Sequence, residues 1–298
     1  MKDHISEYLR MQGMPFLENE PLSRHTSFHI GGPARFFVIP GDEGQLTMLM
    51  AFIRELGAPY AVIGNGSNLL VADEGFPGVV IRAPEWPIRW VERREVEVSA
   101  GFSLSRMAQA MAEDNLGDIT FAQGIPGSVG GAVVMNAGAY GRQISDILVS
   151  SRALTPQGMR VLTAAEHRFG YRHSIYQEHP DWILTSARFH FIPTRRAALE
   201  EQMADFAQRR RASQPLEYPS AGSVFKRPEG HFAGQLIERC GLKGYRIGDA
   251  QVSEKHAGFI VNRGEATCAQ VLELMEHIQK TVLDRTGVAL EPEIRVLK

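Results

Sequence analysis

Residues Ile125 to Gly141 read IPGSVGGAVVMNAGAYG, with glycines at 127, 130, 131, 138 and 141 and no charged side chain. Glycine carries no Cβ, so it lets the backbone approach a ligand closely, and several together can turn amide N–H groups toward one point. Such a concave set of donors suits a pyrophosphate. Upstream, Gly64 to Leu70 read GNGSNLL, a second glycine-broken loop entered from the apolar run Tyr60 to Ile63. Two loops of small residues are what a long dinucleotide requires. Neither is the GxGxxG turn that opens a helix in the Rossmann fold, and neither ends in the Gly-Lys-Ser/Thr of a P-loop.

Outward from these loops, Leu46, Leu49, Met50, Ile53 and Leu56 follow helical spacing, and Gly57 stands where a helix commonly ends. Short apolar strands at Tyr60 to Ile63, Val79 to Ile81 and Val96 to Ala100 then predict a mixed sheet covered by helices. Ser103 is placed to cap a second helix with Leu104, Met107, Ala108 and Met111 on one face. Strand-like pieces follow at Ile147 to Leu154 and Trp182 to Phe191, and a charged helix is expected from Ala197 to Arg211. Its basic end, Arg209 to Arg211, follows Glu200, Glu201 and Asp205 and reads as a solvated face. Pro215 and Pro219 mark a boundary. Beyond it, Thr267 and Gln270 form a capping box for a helix that buries Val271, Leu274, Met275, Ile278 and Val282 and ends at Gly287. A last strand is expected from Val288 to Leu297.

The chain of 298 residues is 44% hydrophobic and 22% charged, enough for a sizeable core in two or three compact units. Its net charge of -2 gives no field that would draw nucleic acid. The two cysteines, Cys240 and Cys268, lie far apart with no CxxC and no histidine at metal-ligand spacing, so neither a disulfide framework nor a metal site is expected. No window approaches the ~20 apolar residues of a membrane span. The N-terminal MKDHISEYLRMQGM is too polar for a signal peptide, and a cytoplasmic monomer is the expectation.

Taken in series, GNGSNLL, IPGSVGGAVVMNAGAYG, YRHS at Tyr171 to Ser174, YPSAGSVFKRP at Tyr218 to Pro228, QVSEKHAGFIVN at Gln251 to Asn262 and LEPEIRVL at Leu290 to Leu297 resemble the UDP-N-acetylenolpyruvoylglucosamine reductases, in the shorter form without a large insertion. The resemblance implies an α+β protein. A two-part FAD-binding domain of the vanillyl-alcohol-oxidase (PCMH) type, spanning about 28–194, would consist of subdomains 1–78 and 79–196, and 206–298 would form a smaller substrate-binding domain. It implies non-covalent FAD, NADPH as hydride donor and UDP-N-acetylglucosamine enolpyruvate as substrate, within peptidoglycan precursor synthesis.

Carried over residue by residue, the resemblance assigns Arg172, Ser223 and Glu293 to catalysis. Cofactor binding falls to Gly64, Asn65, Gly66, Ser67, Asn68 and Leu69, and to Gly124, Ile125, Pro126, Gly127, Ser128, Gly130, Gly131, Asn136, Ala137 and Gly138. Tyr171, Lys226, Arg227, Gln251, Ser253 and His256 would hold substrate. The chemistry suits these types: a guanidinium grips a carboxylate with paired hydrogen bonds, and an accessible hydroxyl delivers a proton to a developing carbanion. Lys226, three positions after Ser223, is a candidate source of positive charge for that hydroxyl. Ala221 and Phe225 occupy the flanking positions of a GxSxG elbow, so a serine hydrolase is disfavoured. Gln123 departs from the small residue usual in the family. Two other readings use the same loops: an FAD oxidase of this fold acting on an alcohol or lactone, and a nucleotide-binding regulatory module. The loops lack the histidine or cysteine that often tethers flavin in such oxidases, and the three assigned catalytic residues argue against a module without turnover.

Overall fold

Capping chemistry and apolar spacing set the helices. The computed structural model describes residues 2–298; residue 1 of the first expected subdomain lies outside them. The helices are α1 (Lys2–Met11), α2 (Glu43–Glu55), α3 (Leu104–Glu113), α4 (Val129–Val134), α5 (Arg196–Ser213), α6 (Ala233–Arg239) and α7 (Cys268–Thr286). Helix α2 starts where Asp42 accepts a hydrogen bond from the Gln45 N–H at 2.7 Å, and it buries Leu46, Leu49, Met50 and Ile53. Ser103 caps α3, and the reciprocal Thr267 and Gln270 bonds open α7, which closes on Gly287 at φ +72°.

Helices α1, α4 and α6 were not expected from sequence. In α1 the buried residues Ile5 and Leu9 lie four apart among polar neighbours, too few for a clear periodic signal. The glycine run itself supplies α4, because the Ser128 side chain accepts the Gly131 N–H at 3.2 Å and starts a turn.

The chain forms two compact units. The first comprises the residues up to Glu18, Phe36–Asn65 and Gly78–Gln208; the second comprises Asn19–Arg35, Gly66–Pro77 and Arg209–Lys298. In the first, an antiparallel sheet runs in the order Gly158–Thr163, Leu148–Thr155, Ile183–His190, Glu95–Ser99, Arg89–Glu92. Its inner face packs on α3 and α4 around Val98, Met107, Phe121, Val129 and Phe189. In the same unit Tyr60–Ile63 pairs in parallel with the last four residues of the strand Phe76–Arg82, from Tyr60↔Val79 to Ile63↔Arg82, and α2 covers Val79 and Ile81.

The second unit has an antiparallel sheet in the order Ser220–Ser223, Phe259–Asn262, Ala250–Val252, Arg246–Ile247. The apolar faces of α6 and α7 pack over it, with Leu236, Ile237, Val271, Leu274 and Ile278 buried against Val252 and Ile260. Each such side chain contributes ~1.5–3 kcal/mol of burial; the spacing was readable in the sequence for α7 and not for the shorter α6.

The last strand is shorter than expected. Only Arg295–Leu297 is extended in a ladder, parallel to Leu69–Val71. Leu290 and Ile294 are buried while Val296 is 39% exposed, so the segment does not alternate as a regular strand would. Pro292 cannot donate to a ladder. The segment instead forms an isolated bridge, with the Lys226 N–H donating to Glu291 O at 2.8 Å and the Glu293 N–H to Val224 O at 2.7 Å.

Candidate active site

In the first unit the glycine loops meet. A Cβ on Gly64 would lie 2.0 Å from Ser128 Oγ, so only glycine allows this approach. The Asn65 side-chain amide donates to Pro126 O at 3.2 Å, and its oxygen accepts from Arg82 at 3.0 Å. Arg82 is a cation at the loop that the sequence reading missed; it is the last residue of an apolar strand and carries no motif of its own. Gly130 donates its N–H to Ala100 O at 2.8 Å, which seats α4 on the sheet. The loop then divides between the units, Gly66 to Leu69 belonging to the second. There Gly66 has φ +61°, and its carbonyl accepts the Ser27 N–H. Asn68 brackets the Glu293 segment: its side chain donates to Glu293 O at 3.1 Å and its carbonyl accepts from Arg295 N–H at 3.0 Å.

The stretches 64–69 and 124–138 carry no charged side chain, and Gly131 is exposed beside the capping Ser128. Within the first unit, the neutral, glycine-lined backbone of Gly64, Asn65 and Gly124 to Gly131 fits the diphosphate of FAD without a repelling carboxylate. Asn136 is only 2% exposed and left-handed at φ +42°; its side chain donates to Gly170 O at 3.0 Å and Gln143 Oε1 at 3.2 Å and accepts the Ser145 N–H. Its amide therefore shapes the protein, and its backbone is what remains for a cofactor. Ala137 and Gly138 continue into the short Gly138–Ala139 pair. At Gln123 the carboxamide oxygen is buried with no hydrogen-bond partner among the described residues. Such an oxygen costs ~1–3 kcal/mol, a local penalty for this departure from a small residue.

Arg172 sits in the first unit at φ +54°, an unusual conformation for a residue with a side chain, inside a turn whose ends, Gly170 and His173, exchange hydrogen bonds. Its guanidinium lies 5.2 Å from the centre of the Tyr171 ring, which is 55% exposed. The loop is bound to the glycine run: Ser174 Oγ donates to Val134 O at 2.7 Å, and Asn136 reaches Gly170 as above.

In the second unit Ser223 is exposed at the end of its strand, and the bridge between Phe225 and Pro292 sets its segment beside that of Glu293. Glu293 is half-buried. Lys226 is engaged elsewhere than expected: its Nζ pairs with Glu291 Oε1 at 2.5 Å, because the bridge brings those two side chains to the same edge. Arg227 stacks over Phe232 at 3.9 Å. On the neighbouring strands Gln251 Nε2 donates to Gly244 O at 3.0 Å, while the nearly buried Ser253 accepts the N–H groups of Lys255 and His256. His256 Nδ1 accepts the Gly258 N–H at 3.1 Å, so its neutral form carries the proton on Nε2; burial holds its pKa below the usual histidine value. Among the described residues, no group of three or more histidines, cysteines or acidic residues could hold a metal ion.

The FAD-binding domain family matches residues 34–164, and the C-terminal domain of UDP-N-acetylenolpyruvoylglucosamine reductase matches residues 214–297. The UDP-N-acetylenolpyruvoylglucosamine reductase of Agathobacter rectalis is 46% identical to this chain, over 98% of it and 96% of the relative. The chain belongs to the UDP-N-acetylenolpyruvoylglucosamine reductase family. The reductase of Caldanaerobacter subterraneus subsp. tengcongensis is 45% identical over 99% of this chain and 97% of its own. The crystal structure of the Thermus caldophilus reductase superposes with a TM-score of 0.80 at 35% identity, covering 96% of this chain and 99% of that one. The architecture is accordingly the family's, an α+β protein with an FAD-binding domain and a smaller α+β domain. No helix among the described residues is long and apolar enough to cross a membrane.

Proposed function

We propose that this chain performs the reaction named by its family: NADPH-dependent reduction of UDP-N-acetylglucosamine enolpyruvate to UDP-N-acetylmuramate through FAD, in peptidoglycan precursor synthesis. The observation that carries this is near-full-length identity of 46% to a reductase of that name, together with both family domains in the same chain. FAD, bound non-covalently, supplies the hydride that NADPH gives up. The residues to hold it are Gly64 to Leu69 and Gly124 to Gly131, with the backbone of Asn136 to Gly138. Segments 1–78 and 79–196 are read as the two flavin-binding subdomains and 206–298 as the substrate-binding domain, in a cytoplasmic monomer.

The protein's own groups handle charge and protons. Hydride addition to the terminal alkene carbon builds negative charge beside the substrate carboxylate. Arg172, permanently charged and planar, grips that carboxylate and opposes the charge. Ser223 delivers its hydroxyl proton to the adjacent carbon, and Glu293 supports the enolpyruvyl group as a hydrogen-bond donor. Tyr171, Lys226, Arg227, Gln251, Ser253 and His256 hold the sugar nucleotide. The Lys226–Glu291 pair is compatible with this role, because an ion pair with an exposed partner is worth ~0–1 kcal/mol and the ammonium can turn to a diphosphate at small cost.

An optical experiment tests the proposal. Purified protein should be yellow, NADPH should bleach it, and the enolpyruvyl sugar nucleotide should restore the colour without oxygen. Recolouring by oxygen alone, with no effect of the sugar nucleotide, would support an oxidase of the same fold instead.

A further inference from the structure

The segment after YRHS contains a glutamine that no motif singled out. Gln177 ends the short helical turn Ile175–Gln177, and its Nε2 lies 2.8 Å from Arg172 O and 3.2 Å from Val134 O. Both are carbonyl oxygens, which only accept, and the third neighbour of Nε2, Met135 Sδ at 3.6 Å, is an acceptor too, so chemistry fixes the nitrogen end of the amide toward them. Val134 is the last residue of α4, and its carbonyl has no partner further along the helix. It is satisfied by side chains, Gln177 and Ser174 at 2.7 Å. Arg172 is the residue held at φ +54°, a conformation that persists only where surroundings impose it.

We infer that Gln177 is a positioning residue for Arg172: its amide clamps the backbone of the left-handed arginine to the end of the glycine-run helix, so that the cation keeps its place relative to the flavin-binding segment. The inference rests on the reading of Arg172 as the grip on the substrate carboxylate. Gln177 touches no reacting atom; it acts by fixing the peptide from which the guanidinium projects. Without the clamp the Arg172 peptide loses its tie to the end of the glycine-run helix, and the guanidinium shifts away from the carboxylate. Displacements of about 1 Å at such a group can cost ~10²-fold in rate.

The holoenzyme carries the test. Gln177→Met keeps the length and removes both donors, whereas Gln177→Lys restores donors at similar reach. Stopped-flow flavin absorbance would follow reduction by NADPH and reoxidation by the enolpyruvyl substrate separately. Gln177→Met should slow reoxidation and raise the substrate KM, together by about 10- to 100-fold, and leave reduction within about 2-fold. Gln177→Lys should recover most of the loss, which a pure packing role would not allow. In an Arg172→Lys background, adding Gln177→Met should change reoxidation by no more than about 2-fold, since the two act as one unit. If Gln177→Met fails to retain flavin, Gln177→Asn, whose amide is withdrawn by one methylene, is read in its place and should show the same selective loss. Parent-like reoxidation in Gln177→Met beside an impaired Arg172→Lys would overturn the clamp, as would equal losses in the Met and Lys variants. Parent-like reoxidation in Arg172→Lys would instead remove the role of Arg172, and the inference with it.

Discussion

Ser223 illustrates how much a single residue's setting decides. Its hydroxyl is exposed at a strand end, and the lysine expected to acidify it is paired with Glu291. Proton delivery then has to be driven by the basicity of the carbanion it quenches, which exists only after hydride transfer. Ser223→Ala should therefore separate the two half-reactions. NADPH should still bleach the flavin at close to the parent rate, while reoxidation by substrate should fall at least ~10²-fold, with partial recovery in Ser223→Cys. Stopped-flow traces in which both halves slow equally, or neither does, would remove Ser223 as the donor. Gly64 makes a steric case of the same kind. An added Cβ would sit 2.0 Å from Ser128 Oγ, so Gly64→Ala must push the two loops apart. Overpacking of this sort costs ~1–3 kcal/mol, and the variant should purify with less flavin and a lower melting temperature.

Elements are held at their ends by groups distant in sequence. Helix α7 begins with its Thr267 box, but the Asp73 carboxylate also accepts the N–H groups of Cys268 at 2.7 Å and Ala269 at 3.0 Å. A carboxylate at a helix N-terminus gains both from those bonds and from the helix dipole. Asp73→Ala should destabilise the protein by ~1–2 kcal/mol in a denaturant titration, and Asp73→Asn by less. An unchanged midpoint would show that the Thr267 box suffices. Burial and the neighbouring Asp73 and Glu74 raise the Cys268 thiol to about 11, so it is a poor nucleophile in the native state.

Between the strand Leu148–Thr155 and the Arg172 segment lies a buried chain of polar groups, which is also an element-scale device. His167 Nδ1 donates to Thr163 O at 2.7 Å, so in the neutral ring Nε2 accepts from Ser151 Oγ at 2.8 Å, and Ser151 in turn accepts from Tyr176 at 2.6 Å. Protonating Nε2 would reverse this order, and burial already lowers the His167 pKa from its usual 6.5. The unfolded chain takes up that proton first as pH falls, so the contribution of neutral His167 is full above pH 6.5 and is lost progressively below it. Denaturant midpoints should drop between about pH 7.5 and 5.5 more steeply in the parent than in His167→Gln, and parallel pH profiles would count against the assignment.

For the whole molecule, the relevant question is how the flavin is kept. The two glycine-rich segments offer backbone donors and contain neither cysteine nor histidine. Acid precipitation should therefore leave free FAD in the supernatant; flavin in the pellet, or FMN in solution, would contradict non-covalent FAD. A flavin that takes hydride from one substrate and gives it to another should also yield parallel double-reciprocal lines for NADPH and the sugar nucleotide.

The sequence by itself determined what depends on local chemistry. Helices α2, α3 and α7 were legible because their buried residues fall at fixed spacings, with Ser103 and Thr267 standing as caps before the last two. The glycine loops and the YRHS, AGSVF and LEPEI segments were legible as a series of motifs, and through them the family. Tertiary structure decided what depends on partners far along the chain. It made the glycine run a helix, broke the last strand at Pro292, turned Lys226 to Glu291, and gave Arg82, Asp73 and Gln177 their partners. Hydrogen bonds between side chains and distant carbonyls or amides leave no periodic trace in a sequence, because their partners are chosen only when the chain has folded.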